Sequence, residues 1–248
     1  MCTLVFAWQV FADAPVVAAA NRDEQFDRPS EPPAVVEEDP RVVAPRDREA
    51  CGTWIGYNEH GVFAAITNRW TDRDATGERS RGLLVRDALR QSTAEAATRL
   101  VERKLDGQEY EGFNLVLADE RAALYVEHVG AGGPRVRNFD PGVHVVVNVG
   151  ADGEYAIPAE RQEAGERQAE SADRLATDLV PEPGERSAAW LDRAADAVGD
   201  HEYGVCVHGD GFGTRSSSLI TVGREGASYR FADGPPCETE YRRVEEQL

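Results

Sequence analysis

The sequence predicts an α+β protein in which antiparallel β-sheet dominates. Short β-rich runs separated by turn residues occupy both ends of the chain, and helical patterns occupy two blocks between them. Because the helical blocks follow strands without alternating with them, the pattern favours α+β over a parallel, doubly wound sheet. The chain has 248 residues and no Gly/Ser-rich linker, so we expect one domain spanning residues 1–248.

The predicted strands occur in pairs on either side of short turns, which is the pattern of β-hairpins. The first pair flanks Asp13-Ala14-Pro15, and the later pairs flank turns of polar residues and glycine. The paired runs are Thr3–Phe11, Val16–Asn21, Trp54–Tyr57, Val62–Thr67, Asn114–Ala118, Ala122–His128, Ser218–Val222 and Ser228–Phe231.

Each helical block is predicted to hold two helices. Pro181 and Pro183 separate the two helices of the second block, because proline cannot continue a helix. The predicted helices are Gly82–Gln91, Ala94–Leu105, Glu160–Leu179 and Ser187–Val198.

The proline-rich segment 27–50 shows neither the alternation of polar and apolar residues that is typical of a strand nor the periodicity of a helix. It holds five prolines among many acidic and arginine residues: Pro29, Pro32, Pro33, Pro40 and Pro45. A long loop inside a compact domain is usually functional or disordered. Two alternatives stay open, a lid over a site and a solvated excursion.

The chain is strongly acidic, with a formal net charge of -18 from 45 Asp plus Glu against 27 Lys plus Arg. Such a surface repels phosphate and anionic lipid, so we expect neither nucleic acid nor a membrane as a partner. Concentrated salt makes the self-repulsion tolerable, since the Debye length falls to about 3 Å at 1 M. The acidity therefore favours a salt-accumulating halophile, with an acidic mesophile from an arginine-biased genome as the alternative.

The amino-terminal segment has some features of a signal peptide, because its apolar start ends in Ala18-Ala19-Ala20. No Lys or Arg precedes Arg22, however, and Asp13 interrupts the apolar run, so we expect no export signal. No apolar stretch reaches the roughly 18 residues of a membrane span. The cysteines lack a C-x-x-C pair, which is typical of free thiols in a reducing compartment and favours a cytoplasmic location. They are Cys2, Cys51, Cys206 and Cys237.

Cys2 is the candidate nucleophile. If Met1 is removed, the thiol and a free α-amino group share one carbon atom. An α-amino group titrates near pH ~7.7–8.0 and a thiol near ~8.5, so one residue would supply both the base and the nucleophile. The alternative is that Cys2 is a small apolar residue at the start of a strand.

The first predicted hairpin tests this hypothesis geometrically. A turn centred on Asp13-Ala14 would place Cys2 opposite Gln25, and Cys2 and Asp23 would then be diagonal neighbours on one face. In this register Asp23 could hold the α-ammonium or orient the thiol, while Arg22 would point to the other face. The alternative is a polar strand end in water.

Three further polar residues lie at the ends of predicted strands. Asn68 follows Val62–Thr67 and Asn148 follows Val143–Val147. An uncharged amide donor suits an oxyanion hole, although asparagine is also common in turns at strand ends. Arg215 is a fixed cation at the start of another strand, with a surface position as the alternative.

Cys206 and His208 are a candidate metal site, because residues two apart in a strand place their side chains on the same face. The other histidines supply no partner at a recognised ligand spacing. They are His60, His128, His144 and His201. We therefore expect neither a metal nor a cofactor.

Several motifs in one order resemble the NRDE family of transport and Golgi organisation proteins. The resemblance spans nearly the whole chain, and as an ordered set the motifs are specific. They are Met1-Cys2-Thr3-Leu4, Asn-Arg-Asp-Glu at 21–24, Gly52-Thr53-Trp54-Ile55-Gly56, Asn58-Glu59-His60-Gly61, Thr67-Asn68-Arg69 and Gly213-Thr214-Arg215-Ser216-Ser217.

That family is in turn similar to the N-terminal nucleophile hydrolases, especially the choloylglycine hydrolase group. The resemblance implies a four-layer αββα sandwich of antiparallel sheets. It implies that Cys2 is the nucleophile, Asp23 its aspartate partner, and Asn68 and Asn148 the oxyanion amides. Arg215 would match a site arginine.

The choloylglycine hydrolase group also has an arginine on the second strand, shortly before its aspartate. In this chain Ala20 or Asn21 occupies that place, and Arg22 lies one residue later.

Two functions are therefore expected from the sequence. The first is a cysteine-nucleophile hydrolase or acyltransferase that acts on an amide or thioester of a small molecule. The second is a non-catalytic protein that binds haem or an acylated lipid in the same pocket, with Cys2, Cys206 and His208 as candidate haem ligands.

Overall fold

The structure is a computed structural model that describes residues 2–72, 77–245 and 247–248. The chain divides into two compact units, of which the first comprises Met1–Arg28 and Pro141–Val244 and the second comprises Pro29–Asp140 and Glu245–Leu248. Each unit contains one antiparallel sheet with two α-helices packed on it, as the α+β prediction expects.

The described residues form fifteen strands and four α-helices. In chain order these are β1 (Thr3–Trp8), β2 (Val16–Gln25), β3 (Ser30–Glu38), β4 (Arg41–Asp47), β5 (Ile55–Asn58), β6 (Phe63–Asn68), α1 (Arg81–Ala88), α2 (Ala94–Gly107), β7 (Phe113–Ala118), β8 (Ala123–His128), β9 (Arg135–Asn138), β10 (Gly142–Val147), β11 (Gly150–Ala151), β12 (Glu154–Tyr155), α3 (Gln162–Asp178), α4 (Ser187–Gly199), β13 (Phe212–Gly223), β14 (Gly226–Ala232) and β15 (Arg242–Arg243).

The sheet of the first unit has eight strands in the order β12-β11-β10-β1-β2-β13-β14-β15. β1 lies between β10 and β2 and is buried along its whole length. α3 packs on β10, and α4 packs on β2 and β13. Trp190 of α4 is fully buried, and its indole N–H donates to the carbonyl oxygen of Leu179 at 2.8 Å. β1 is therefore held in the interior of this sheet.

The register between β1 and β2 differs from the predicted one. Thr3 pairs with Asn21 and Trp8 with Val16, so the prediction that Cys2 lies opposite Gln25 is wrong. The connection is a wide loop rather than a tight turn, and it is closed by a hydrogen bond from the main-chain N–H of Gln9 to the carbonyl oxygen of Pro15 at 2.9 Å. Within this loop Phe11 packs against the ring of Trp190, with 5.8 Å between the centroids.

The sheet of the second unit pairs only consecutive strands, in the order β3-β4-β5-β6-β7-β8-β9. α1 packs on β6, and α2 packs on β7 and β8. The apolar core of this unit contains, among others, Leu84, Val101, Leu115 and Val126. Within the described residues, none of the helices combines the length and apolar character that crossing a membrane requires.

The segment 27–50 has regular secondary structure, so the expectation of a long loop is wrong, whereas its role as a lid stays a prediction. It forms the β3–β4 hairpin. β3 is an edge strand, where proline is tolerated because its missing N–H faces no neighbour. Pro32 and Pro33 lie where the register shifts between Glu31 and Ala34. This irregularity interrupts the alternation by which a strand is identified in a sequence.

Asn58 closes the β5–β6 turn and is buried. Its Nδ2 donates to the carbonyl oxygens of Leu89 and Gln91, both at 2.7 Å. Its Oδ1 accepts from the main-chain N–H groups of His60 and Val62, both at 3.0 Å. One side chain thus shapes the turn and ties it to the end of α1.

We expect Asn58→Asp to lower the free energy of unfolding by at least about 2 kcal/mol, because a carboxylate oxygen would face two carbonyl oxygens in a buried site. Urea denaturation of the two proteins measures the difference. Asn138→Asp makes the same chemical change at an exposed position and should be nearly neutral. Equal stabilities of the two variants would contradict this account of Asn58.

Candidate active site

Cys2 lies immediately before β1, between two neighbouring strands that deliver polar groups to it. Its main-chain nitrogen donates to Oδ1 of Asn148 at 3.1 Å, and its Sγ lies 3.7 Å from the carbonyl oxygen of Asp23. Asn148 directly follows β10, and Asp23 belongs to the last part of β2. Because both strands run antiparallel to β1, they end where β1 begins, and this topology brings the three residues together.

Asn148 is buried and its amide has a fixed orientation. Its Oδ1 accepts a second hydrogen bond, from Nε2 of Gln168 in α3 at 2.9 Å. Two N–H donors on one oxygen identify that atom as the carbonyl, so the amide NH2 group points away from them. Sequence analysis missed Gln168. The signal is its place on the buried face of α3, with Gly165, Ala172 and Leu175.

Asp23 is buried and accepts a short hydrogen bond. Its Oδ1 lies 2.6 Å from the hydroxyl of Thr214, which in turn accepts from the main-chain N–H of Val207 at 2.8 Å. Thr214 reaches Asp23 because the two residues are paired between β13 and β2. Burial raises the pKa of the Asp23 carboxyl, and the hydrogen bond from Thr214 acts in the opposite direction.

The pKa of the Cys2 thiol is raised in this environment. Burial raises its pKa, and the negative charge of Asp23 raises it further, whereas the positive charge of Arg22 lowers it. A nucleophilic role for this sulfur therefore requires a proton acceptor beside it.

The expectation that Arg22 points away from Cys2 rests on the wrong register. Arg22 pairs with Ser216 of β13, it is buried, and its guanidinium lies 3.6 Å from a carboxylate oxygen of Glu24. It is close enough to Cys2 for its charge to act on the thiol. Arg22 thus adds a cation to the surroundings of the candidate nucleophile.

Arg215 has a different charged partner, and Asn68 belongs to the other unit. Arg215 is the extra residue of a β-bulge in β13, and its guanidinium lies 3.9 Å from Asp233. Asn68 belongs to the second unit, where it ends β6, lies exposed and pairs with Phe113. The roles of Arg215 and Asn68 stay predictions from the sequence.

Asn21, the first residue of the Asn-Arg-Asp-Glu motif, has a structural role. Its Nδ2 donates to the carbonyl oxygens of Val198 at 2.8 Å and Val205 at 3.0 Å. Its Oδ1 accepts from the hydroxyl of Ser217 at 2.7 Å. Asn21 therefore fastens β2 to the end of α4 and to the loop that follows it.

Cys206 and His208 do have partners, so the argument from ligand spacing was wrong. The structure brings His201 and Cys237 to them, and the donor atoms of the four residues lie within 4.8 Å of one another. Cys237 comes from a distant part of the chain, which the spacing of Cys206 and His208 does not indicate.

The fold is that of the N-terminal nucleophile hydrolases, as the sequence predicts. An N-acylethanolamine-hydrolyzing acid amidase ortholog from Caenorhabditis elegans matches with a TM-score of 0.57 and 11% sequence identity, over 88% of this chain and 92% of that one. Penicillin V acylase from Agrobacterium tumefaciens matches with a TM-score of 0.52 and 15% identity, over 94% of this chain and 83% of that one.

The sequence itself matches a family over most of its length. The human Transport and Golgi organization protein 2 homolog is 30% identical over 233 residues, which is 85% of this chain and 83% of the human protein. The model of the family Transport and Golgi organisation 2 matches residues 1–233. The resemblance found in the sequence motifs is therefore confirmed, and this chain belongs to the Transport and Golgi organisation 2 family.

Proposed function

We propose that the chain is an N-terminal cysteine hydrolase or acyltransferase that acts on an amide or thioester of a small molecule. The observation that carries the proposal is the convergence of Asp23 and Asn148 on the sulfur and nitrogen of Cys2. Support also comes from the fold, which the chain shares with an acylase and an acid amidase.

The first step of the proposed reaction follows removal of Met1. The main-chain nitrogen of Cys2 then becomes an α-amine, and a group with a pKa near ~7.7–8.0 is partly a free base at neutral pH. This amine takes the proton of the half-buried thiol, and Sγ attacks the carbonyl carbon of the substrate. The resulting ammonium gives the proton to the leaving amine or thiolate. Water or another acceptor then releases the acyl group from Sγ.

Asn148 is the proposed oxyanion donor within the first unit. Its Oδ1 accepts hydrogen bonds from Cys2 and Gln168, so the proposed donor to the tetrahedral oxygen is the NH2 group of the same amide. Losing one such donor typically raises a barrier by ~2.7–4 kcal/mol. Gln168 would act as a positioning residue, because it fixes which face of the amide carries the donor.

Asp23 is the proposed partner of the α-amine. Its carboxylate would stabilise the ammonium that forms when the amine accepts the thiol proton. The hydrogen bonds from Val207 to Thr214 and from Thr214 to Asp23 hold the carboxyl group in one place. A carboxylate that is already held in place does not need to reorient when the positive charge develops on the amine.

We expect an acyl-transfer probe to label Cys2 only when its amine is free. The test compares wild-type protein that begins at Cys2, the same protein with extra residues ahead of Cys2, and Cys2→Ala. Intact mass after reaction with an activated thioester reports the acyl group gained. Only the first protein should be labelled at this residue, because an amide nitrogen cannot accept the thiol proton.

Cys51→Ala is the matched control, since Cys51 is a free and exposed cysteine. It should leave labelling of Cys2 unchanged. Equal labelling of Cys2→Ala and wild type would rule out the proposed mechanism. Haem or acyl-lipid binding without covalent chemistry would then be the better account of the candidate site.

The raised pKa of Asp23 predicts a change in stability with pH. The folded chain binds a proton at Asp23 more tightly than the unfolded chain does, so this contribution favours folding at acidic pH. Relative to Asp23→Asn, the wild type should lose stability as the pH rises from about 4 through the raised pKa.

Urea denaturation of both proteins between acidic and neutral pH measures this difference. Asp233→Asn is the control, because the side chain of Asp233 is 71% exposed. A stability difference between wild type and Asp23→Asn that stays constant or changes in the opposite direction would show that Asp23 is not a buried carboxyl with a raised pKa.

A further inference from the structure

Four side chains with nitrogen and sulfur donors form a cluster in the first unit, separate from the contacts around Cys2. We name it the Cys206 cluster, and it consists of His201, Cys206, His208 and Cys237. One donor atom from each residue lies within 4.8 Å of every other. Cys206 is buried and the other three are exposed, so an ion from solvent could reach the cluster.

The distances among the donor atoms of Cys206, His208 and Cys237 are close to those in a tetrahedral coordination shell. The two sulfurs are 3.4 Å apart, Nε2 of His208 lies 3.1 Å from Sγ of Cys237, and it lies 3.7 Å from Sγ of Cys206. Tetrahedral zinc with Zn–S of about 2.3 Å and Zn–N of about 2.0–2.1 Å separates its ligand atoms by about 3.3–3.8 Å. These three donors are therefore spaced like ligands of one ion, and the donor of His201 lies within 4.8 Å of each of them.

The local chain conformation assembles three of these ligands in one short loop. His201 begins a short 3₁₀-helix, and Gly204 then adopts a left-handed conformation with φ of 68°, which turns the chain back. Cys206 and His208 follow, and the rings of His201 and His208 meet edge to face with 5.1 Å between centroids. Cys237 comes from the turn after β14.

A disulfide between the two cysteines is the competing explanation. The separation of 3.4 Å between the sulfurs exceeds a disulfide bond of about 2.05 Å, and both thiols are free. A disulfide would also give no reason for two imidazoles to lie against the same sulfurs. Thiolate and imidazole together are the ligands that zinc selects.

We propose that the Cys206 cluster binds one Zn²⁺ ion with two thiolates and two neutral imidazoles. Binding displaces one proton from each thiol to solvent, so the complex of ion and ligands is neutral. Four protein ligands leave no open coordination position, and such closed sites are structural rather than catalytic.

The ion would fasten the loop that positions Asp23. Val207 lies between Cys206 and His208, and its main-chain N–H and carbonyl oxygen both bond to Thr214, each at 2.8 Å. Thr214 in turn donates to Asp23 at 2.6 Å. Fixing the two residues on either side of Val207 would therefore hold Thr214 and, through it, the Asp23 carboxyl.

The test measures metal binding by the full chain purified under reductant. Zinc per chain is determined by mass spectrometry, and Co²⁺ replaces zinc for absorption spectroscopy. We expect one ion per chain, the visible absorption of tetrahedral cobalt and a thiolate-to-cobalt charge-transfer band. Cys237→Ser should bind about 100-fold more weakly, because the binding free energy of a structural zinc is shared among four ligands.

Cys51→Ser and His60→Ala change an exposed cysteine and an exposed histidine outside the cluster, and both should bind like wild type. Cys237→His keeps four ligands, so it should retain the ion with a weaker charge-transfer band even if Cys237→Ser fails to fold. Absence of a cobalt–thiolate band in wild type, or equal binding by Cys237→Ser, would overturn the proposal. So would an intact mass lower by two hydrogens, with Cys206 linked to Cys237, in protein purified with zinc.

Discussion

The position of β1 in the middle of its sheet is the constraint on which the candidate site depends. A strand paired on both sides cannot shift its register without breaking two ladders of hydrogen bonds, so Cys2 has a fixed place at its start. Both neighbours run antiparallel to β1, and their polar ends therefore meet at that place. The hydrogen bond from Cys2 to Asn148 is a direct result of this arrangement.

Most of the secondary structure could be predicted, because alternation and helical periodicity are properties of the local sequence. Each predicted hairpin and helix has a counterpart within a few residues. The β1–β2 register could not be predicted, because the strands are joined by a wide loop whose Phe11 contacts Trp190, a residue far away in the sequence. The β3–β4 hairpin was missed because prolines at an edge strand look the same in sequence as prolines in a loop.

The candidate site shows the same division between local and distant information. Sequence motifs identified Cys2 and Asp23, and a position at the end of a predicted strand identified Asn148. The structure brings these three residues together. Gln168 and Thr214 were missed, because nothing in their local sequence indicates which carboxyl or amide they contact. The partners of Cys206 and His208 were missed for a related reason, since Cys237 joins them only through the tertiary structure.

The connectivity of the two sheets has a consequence for folding during synthesis. The second unit pairs each strand with the next one in the chain, so its sheet can form as it leaves the ribosome. In the first unit, β1 and β2 must wait for β10 and β13, which are synthesised after the whole second sheet. The β1–β2 ribbon therefore emerges with both edges unpaired, and we expect nascent chains that stall before β10 to aggregate or to recruit chaperones.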